Sequence, residues 1–497
     1  MGEANIGTSL RLGDLLIRGK MVTAEDISRA IEHQSENGGR LGDSLVATGA
    51  VTREQLEAFL HRLPTEPHDV QSTGIDGLDL MGLMLKLMYV NSLESLRQLQ
   101  EAIKLPYTIV LDLVKMATDR KLLITLGSGM QEGLADMRYM FTEDGKRWAI
   151  DILNRSGYTG PAPVPVELFA HQVTLQKPTN EVITFEGIRK ATAAFTFSDA
   201  LIEQCGPALN SGRAMLLYGP PGNGKTSVAR CMANVYNDVI YVPYAVIVEG
   251  QIIRIYDPSI HEAINPAGVD DDNPLSLVRR EVFDQRWVPC KRPFVIAGGE
   301  LTLEMLDLRY DEAGHFYEAP LHVKALGGCF VIDDFGRQLV SPTALLNRWI
   351  VPLENRIDYL KLHTGKTFTV PFEELIVFST NLEPEDLMDP AFLRRLPYKI
   401  EVGAPGIAAF KVIFEKECEK EALEAPDGVF DDIVYKITAE KGMELACYQP
   451  RFIVDQVVAS CRFMQMPTRL EARFVDYALD NLRVNRHAPS KTEAQVV

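Results

Sequence analysis

The chain has 497 residues, 46% hydrophobic and 24% charged, with a formal net charge of −17. That length exceeds one ordinary core and predicts roughly two to four domains. The acidic balance argues against a protein that coats nucleic acid, because phosphate binding needs local positive charge.

The seven cysteines are scattered with no C-x-x-C pair, which reads as reduced, mostly buried thiols and not as a disulfide framework or zinc site. The opening MGEANIGTSL lacks the basic-then-apolar pattern of a signal peptide, and no apolar run reaches membrane-spanning length. A cytoplasmic protein without a membrane span is expected.

The first domain is expected over 1–66 and contains a repeat. RLGDLLIRG runs from Arg11 to Gly19, and RLGDSLVATG from Arg40 to Gly49. The copies align as Arg11–Gln34 and Arg40–Leu63, separated by SENGG. Leu16, Ile17, Met21, Val22, Ile27 and Ile31 in the first match Leu45, Val46, Ala50, Val51, Leu56 and Leu60 in the second. Each unit predicts two short amphipathic helices, the second capped by Thr23 or Thr52 with Asp26 or Gln55 completing a capping box. A compact helical core accounts for the apolar positions. It does not account for the shared Arg-Leu-Gly start. Arginine stacks on bases and binds phosphate, glycine permits close approach, and two equivalent half-sites suit a ligand with two equivalent halves.

A second domain is expected over 75–158. Its three helical stretches include Tyr107 to Lys121, and LLITLGSG and MRYMFTEDGKRW read as a strand pair closed by a turn at Asp144-Gly145. Three helices and a ribbon resemble a winged helix. Lys115, Arg120 and Lys121 stand beside Asp112 and Asp119, so a protein-contact or spacer role is the stronger reading and DNA binding is not expected. The linker 159–184 opens with the Pro-rich GPAPVPVE, which reads as a stiff hinge.

An α/β pattern then runs from 185 to 405, with a helical segment over 406–490. In AMLLYGPPGNGKTS an apolar strand, Met215 to Tyr218, leads into Gly219, Pro220, Pro221, Gly222, Asn223, Gly224, Lys225, Thr226 and Ser227, with a helical stretch after it. This is the context a P-loop requires: backbone amides cradle phosphates, Lys225 reaches the β and γ oxygens, and Thr226 ligates magnesium. In GGCFVIDDFGR a buried strand delivers Asp333, suited to the magnesium shell, and Asp334, suited to orienting the attacking water. FEELIVFSTNL is a third strand, ending in Asn381, which is suited to polarising the water near a γ-phosphate. Arg394, Arg395 and Arg451 follow in order, each with solvated surface as its plain alternative. Between these motifs, FVIAGGELTLEMLDLRYDEAGHFYEAPLHV reads as strands turning near Gly314. Phe316 and Tyr317 there are candidates either for substrate contact or for an elaborated surface hairpin packing between subunits.

Residues 185–485 resemble the AAA+ ATPases. Gly219–Thr226 looks like Walker A, Phe330–Asp334 like Walker B, Asn381 like sensor 1, Arg394 and Arg395 like arginine fingers, and Gln449-Pro450-Arg451 like sensor 2 in the helical lid. The helix and hairpin suggested by residues 345–381 are similar to those of the MoxR and enhancer-binding branches. The resemblance implies ATP, Mg2+, hydrolysis and a ring, often a hexamer, in which a finger arginine acts on the neighbour's ATP. The family usually writes Asp-Glu where this chain has Asp333-Asp334; the shorter second carboxylate implies either slow hydrolysis or a geometry compensated elsewhere, and hydrolysis stays the expectation.

Residues 11–63 resemble the MshEN-type N-terminal domain of type II secretion and type IV pilus ATPases, whose tandem motifs bind cyclic di-GMP. That resemblance implies nucleotide contacts from Arg11, Leu12, Gly13, Gln34, Arg40, Leu41 and Gly42, with Ile27, Ile31, Leu56 and Leu60 lining the site. Lys20 and Leu63 depart from the motif's glycine and glutamine. The expectation is a multidomain chain: a small α-helical N-terminal domain, a winged-helix-like α+β domain, and an α/β P-loop AAA+ domain with a C-terminal helical lid. It would act on a protein substrate, such as a pilus or secretion component. An ATP-switched DNA-binding regulator and a nucleotide-gated scaffold with little turnover stay open.

Overall fold

A computed structural model describes residues 12–18, 21–128, 137–236, 238–264, 283–426 and 428–482. Arg11, Lys20 and the acidic run Asp270–Asp272 lie outside them. Among the described residues no helix is long and apolar enough to cross a membrane. All seven cysteines are free thiols, and six are buried.

The repeat forms the helices Leu12–Arg18, Ala24–Asn37, Leu41–Ala47 and Arg53–Leu60. Both capping boxes are present: Thr23 with Asp26, and Thr52 with Gln55. Leu16, Val22, Ala30, Leu45, Val51 and Leu56 make the core. The glycines have a packing reason. A Cβ on Gly13 would lie 3.4 Å from the Ile27 side chain, and one on Gly42 would lie 3.0 Å from Leu56 Cδ2. The first helix of each unit therefore crosses the second at its glycine.

The next region contains helices Gly77–Asn91, Leu96–Ile103 and Tyr107–Asp119, then strand Leu123–Ser128 paired antiparallel with Met137–Phe141. The turn expected at Asp144-Gly145 is instead the first turn of a fourth helix, Glu143–Arg155, whose N-cap Thr142 accepts the Gly145 N–H. Gly145 marks a close approach: a Cβ there would sit 2.0 Å from the Leu122 carbonyl oxygen.

The Pro-rich stretch is not a hinge. Val164–Pro165 is a strand paired parallel with Ala245–Val248, at the edge of a five-stranded mixed sheet. The Arg286 guanidinium, 1% exposed, donates to the carbonyls of Thr73 and Pro163 at 3.1 Å each and pairs with Asp284 at 2.8 Å. That buried joint binds the strand to both neighbouring regions. The same sheet holds the antiparallel pair Arg309–Asp311 and Phe316–Glu318. Tyr317 is 1% exposed, and Phe316 meets Tyr158 edge-on at 6.1 Å. Both residues pack within the chain, where this hairpin docks on the second region.

The main sheet is parallel throughout, in the order Tyr398–Glu401, Met215–Tyr218, Leu375–Thr380, Cys329–Ile332, Phe294–Ala297. Its three central strands are apolar runs because both faces are covered. Asp199–Ser211 and Lys225–Ala233 pack against one face, and Pro342–Asn355, through Trp349, against the other. A hairpin, Ile357–Lys361 with Thr367–Pro371, precedes the Asn381 strand. The helices Ile407–Lys420, Val429–Tyr435, Gln449–Phe463 and Ala472–Asn481 close the described chain around a core of their own.

Candidate functional site

The strand order sets the site. The strand ending before Asn381 lies between the P-loop strand and the strand ending before Asp333, so three loops leave the carboxyl edge of the sheet together. They open into a cleft of about 990 Å³ lined by Pro221–Ser227, Asp333, Asp334, Ser379 and Asn381. The helical module, through Cys447, Tyr448, Arg451 and Phe452, forms its opposite wall.

The phosphate loop winds tightly. Gly219 has φ +130° with the Val402 carbonyl oxygen 2.7 Å from where a Cβ would be, so no other residue fits there. Gly224 caps the helix that begins at Lys225. Lys225 Nζ donates to the carbonyls of Gly219 and Pro220 at 2.9 Å each. Burial lowers its pKa, opposed by the charges of Asp333 and Asp334.

The Thr226 hydroxyl donates to Asp333 Oδ2 at 2.8 Å. Asn381 Nδ2 donates to Asp334 Oδ1 at 2.9 Å. Asp334 has φ +49°, an uncommon conformation for a non-glycine residue. Thr226 and Asp333 present hard oxygens suited to magnesium. Asp334 offers a carboxylate held by a neutral amide donor.

Arg451 also lines the cleft, with its side chain 76% exposed and 3.5 Å from Asp455. Arg394 and Arg395 do not line it. Arg394 is exposed, and Arg395 pairs with Glu354 at 2.5 Å in a separate pocket with Lys177, Arg213 and Arg356. Sequence reasoning missed the apolar end of the cleft, where Phe195 and Phe197 stack at 5.6 Å near Leu201 and Ile413. The run AAFTFSDA carries no periodicity that would mark it. It also missed Cys447 and Tyr448, whose backbone amides bond to the phosphate loop.

In the N-terminal region Gly13 and Gly42 face Ile27 and Leu56 as described, and Leu12 and Leu41 pack on the same small core. Gln34 Nε2 bonds to the Gly39 carbonyl at 2.8 Å, and Arg40 is exposed. Ile31 and Leu60 are 53% and 38% exposed, whereas Leu56 is buried.

Residues 407–481 match a family model described as a domain of unknown function (DUF8689). The type IV pilus assembly ATPase PilB of Myxococcus xanthus (strain DK1622) is 32% identical over 78 residues, 16% of this chain. The match spans 13% of that protein's length. Solved structures similar in part include NtrX from Brucella abortus, with TM-score 0.37 at 13% identity, covering 61% of this chain and 60% of that one. Another is the Thermotoga maritima RuvB Holliday junction branch migration motor, at 0.32 and 15% identity, covering 62% of this chain and 73% of that one. The parallel sheet, its glycine-rich loop and the carboxylates converging beside it have the geometry that a P-loop core uses to hold a nucleotide.

Proposed function

We propose that the chain is an AAA+ ATPase of the MoxR/enhancer-binding-like branch that hydrolyses ATP in a homo-oligomeric ring, a hexamer, to remodel a protein partner. Its N-terminal repeat senses cyclic di-GMP, and the setting is pilus, secretion or motility machinery in the cytoplasm. The observation that carries the catalytic part is the convergence of Thr226, Asp333, Asp334 and Asn381 at one end of the cleft.

The residues divide the work by chemistry. The loop amides and Lys225 hold the phosphates, and Lys225 exchanges its two carbonyl partners for phosphate oxygens. Thr226 and Asp333 would hold a magnesium ion, which would supply charge neutralisation for the transferred phosphoryl group. Asp334 accepts a proton from the attacking water, and Asn381 keeps that carboxylate aimed. Phe195 and Phe197 give the base an apolar, aromatic end. Neither Arg394, which is exposed, nor Arg395, which faces a separate pocket, is among the residues lining the subunit's own cleft, and their proposed place is at the nucleotide of a neighbouring subunit.

Support for the sensing part is the duplicated unit and its resemblance to the MshEN type; the name of the pilus relative supports the setting. Because Gly13 and Gly42 already have a packing role, the ligand contacts worth testing are the arginines. Phosphate release from wild type, Lys225→Ala and Asp334→Asn tests the ATPase, and equal rates in all three would sink it. Calorimetry with cyclic di-GMP on the full chain, beside Arg11→Ala/Arg40→Ala, tests the sensor separately. No heat from the wild type would leave the repeat as an interaction module.

A further inference from the structure

The middle of the phosphate loop touches the helical module as well as the cleft. Asn223 is 5% exposed, and its Oδ1 accepts the Cys447 N–H at 3.2 Å. One residue earlier, the Gly222 carbonyl accepts the Tyr448 N–H at 3.0 Å. The Tyr448 ring lies so close that a Cβ on Gly222, at φ +83°, would be 2.3 Å from Tyr448 Cδ1. A P-loop uses backbone amides at these positions, so its phosphate chemistry does not require the side chain of Asn223.

The receiving segment is braced. Gln449, 1% exposed, accepts the Ala446 N–H at 2.9 Å through Oε1 and donates to the Glu444 carbonyl at 3.0 Å through Nε2. Tyr448 immediately precedes helix Gln449–Phe463, whose Ile453, Val454, Val457, Val458 and Cys461 lie in the core of the module. Movement of the loop at residue 223 therefore acts on a stiff segment continuous with that core. Elsewhere the module reaches the cleft's far wall through Lys416 Nζ, at 3.4 and 3.5 Å from the Ala193 and Ala194 carbonyls. Those contacts are longer and lie on a flexible side chain.

We propose that Asn223 is a positioning residue, a latch that ties the helical module to the phosphate loop and reports to it whether the loop holds a polyphosphate. The proposal rests on the reading of the cleft as a nucleotide site. A nucleoside di- or triphosphate draws Lys225 off the carbonyls of Gly219 and Pro220 and takes up the loop amides. The loop then reshapes around Gly222 and Asn223, and the bonds to Cys447 and Tyr448 change with it. The module would thus feel occupancy at residue 447, independently of any contact made by Arg451.

Backbone hydrogen exchange at residues 447–452 of the full chain, with and without the fluorescent nucleotide mant-ADP, tests this. The variants are Asn223→Ala, which removes the acceptor, and Asn223→Asp, which keeps an acceptor of the same shape but adds a negative charge beside the phosphates. Without nucleotide, exchange at Cys447 should be roughly five- to tenfold faster in Asn223→Ala than in wild type, and near wild type in Asn223→Asp. Mant-ADP should change exchange at Cys447 and Tyr448 in wild type. Equal exchange in wild type and Asn223→Ala overturns the latch. Wild type that binds mant-ADP with no change at 447–448 overturns the proposal alone. Wild type that retains no mant-ADP overturns the reading of the cleft and the proposal with it.

Discussion

Thr226 and Asp333, 107 residues apart in sequence, meet through a 2.8 Å hydrogen bond. The hydroxyl, in the first turn of helix Lys225–Ala233, and the carboxylate, after a strand two positions away in the sheet, would offer a divalent cation two hard-oxygen ligands at one edge of the sheet. If that is their role, Asp333→Asn should lower magnesium-dependent phosphate release about 100-fold, the scale of losing one charge-stabilising group. Thr226→Val should raise the magnesium concentration needed for half-maximal rate about tenfold, and chelation should abolish release in wild type. Rates in Asp333→Asn within a factor of two of wild type would remove the metal role.

The second carboxylate has a backbone reason to be short. Asp334 sits at φ +49° and is held by Asn381 at 2.9 Å. Aspartate tolerates left-handed backbone better than longer side chains do, so lengthening the carboxylate by Asp334→Glu should lower stability by about 1 kcal/mol without raising the rate. Asp334→Gly should raise the melting temperature slightly while reducing phosphate release to background. Thermal melts read beside phosphate release decide this. A glutamate variant that is both faster and equally stable would reverse the argument.

The elements legible in the sequence are those with local causes. Met215–Tyr218 and Cys329–Ile332 are strands where continuous apolar runs put them, and Thr23 and Thr52 cap helices through residues three positions on. What was misread depends on distant partners. Gly145 looks like a turn until the Leu122 carbonyl is seen against it, and the prolines at 161–165 look like a hinge until Val164 pairs with Val246. Cys447 and Tyr448 carry no motif, because what recommends them is the backbone they place on the phosphate loop.

The recurring glycine of the N-terminal unit gives a test that separates packing from ligand contact. A Cβ on Gly42 would stand 3.0 Å from Leu56 Cδ2. Gly42→Val should therefore destabilise the four-helix region by about 1–3 kcal/mol, read as faster hydrogen exchange over residues 41–60. Arg40 is exposed and its side chain makes no cap bond, so Arg40→Ala should leave exchange unchanged within about 0.5 kcal/mol while weakening any cyclic di-GMP binding. The opposite pattern, with Arg40→Ala loosening the region and Gly42→Val harmless, would make the arginine the structural member of the motif.

Lys86 provides a pH signature within the second region. It is 3% exposed in helix Gly77–Asn91, and its Nζ donates to the Ser156 carbonyl at 2.7 Å. Burial lowers its pKa from 10.5 to about 8. Between those two values the unfolded chain binds more protons than the folded one, so this lysine makes stability rise as pH rises through that window. At pH 7 the buried charge costs on the order of 3 kcal/mol, less whatever its hydrogen bond returns. Lys86→Met keeps the length and discards the charge, so it should stabilise the region by roughly 1–3 kcal/mol at pH 7. It should also flatten the dependence between pH 8 and 10.5. Hydrogen-exchange protection of residues 83–88, corrected for intrinsic rate and measured across that range in both proteins, checks the prediction. Parallel slopes in the two would show that Lys86 keeps its proton in the folded state.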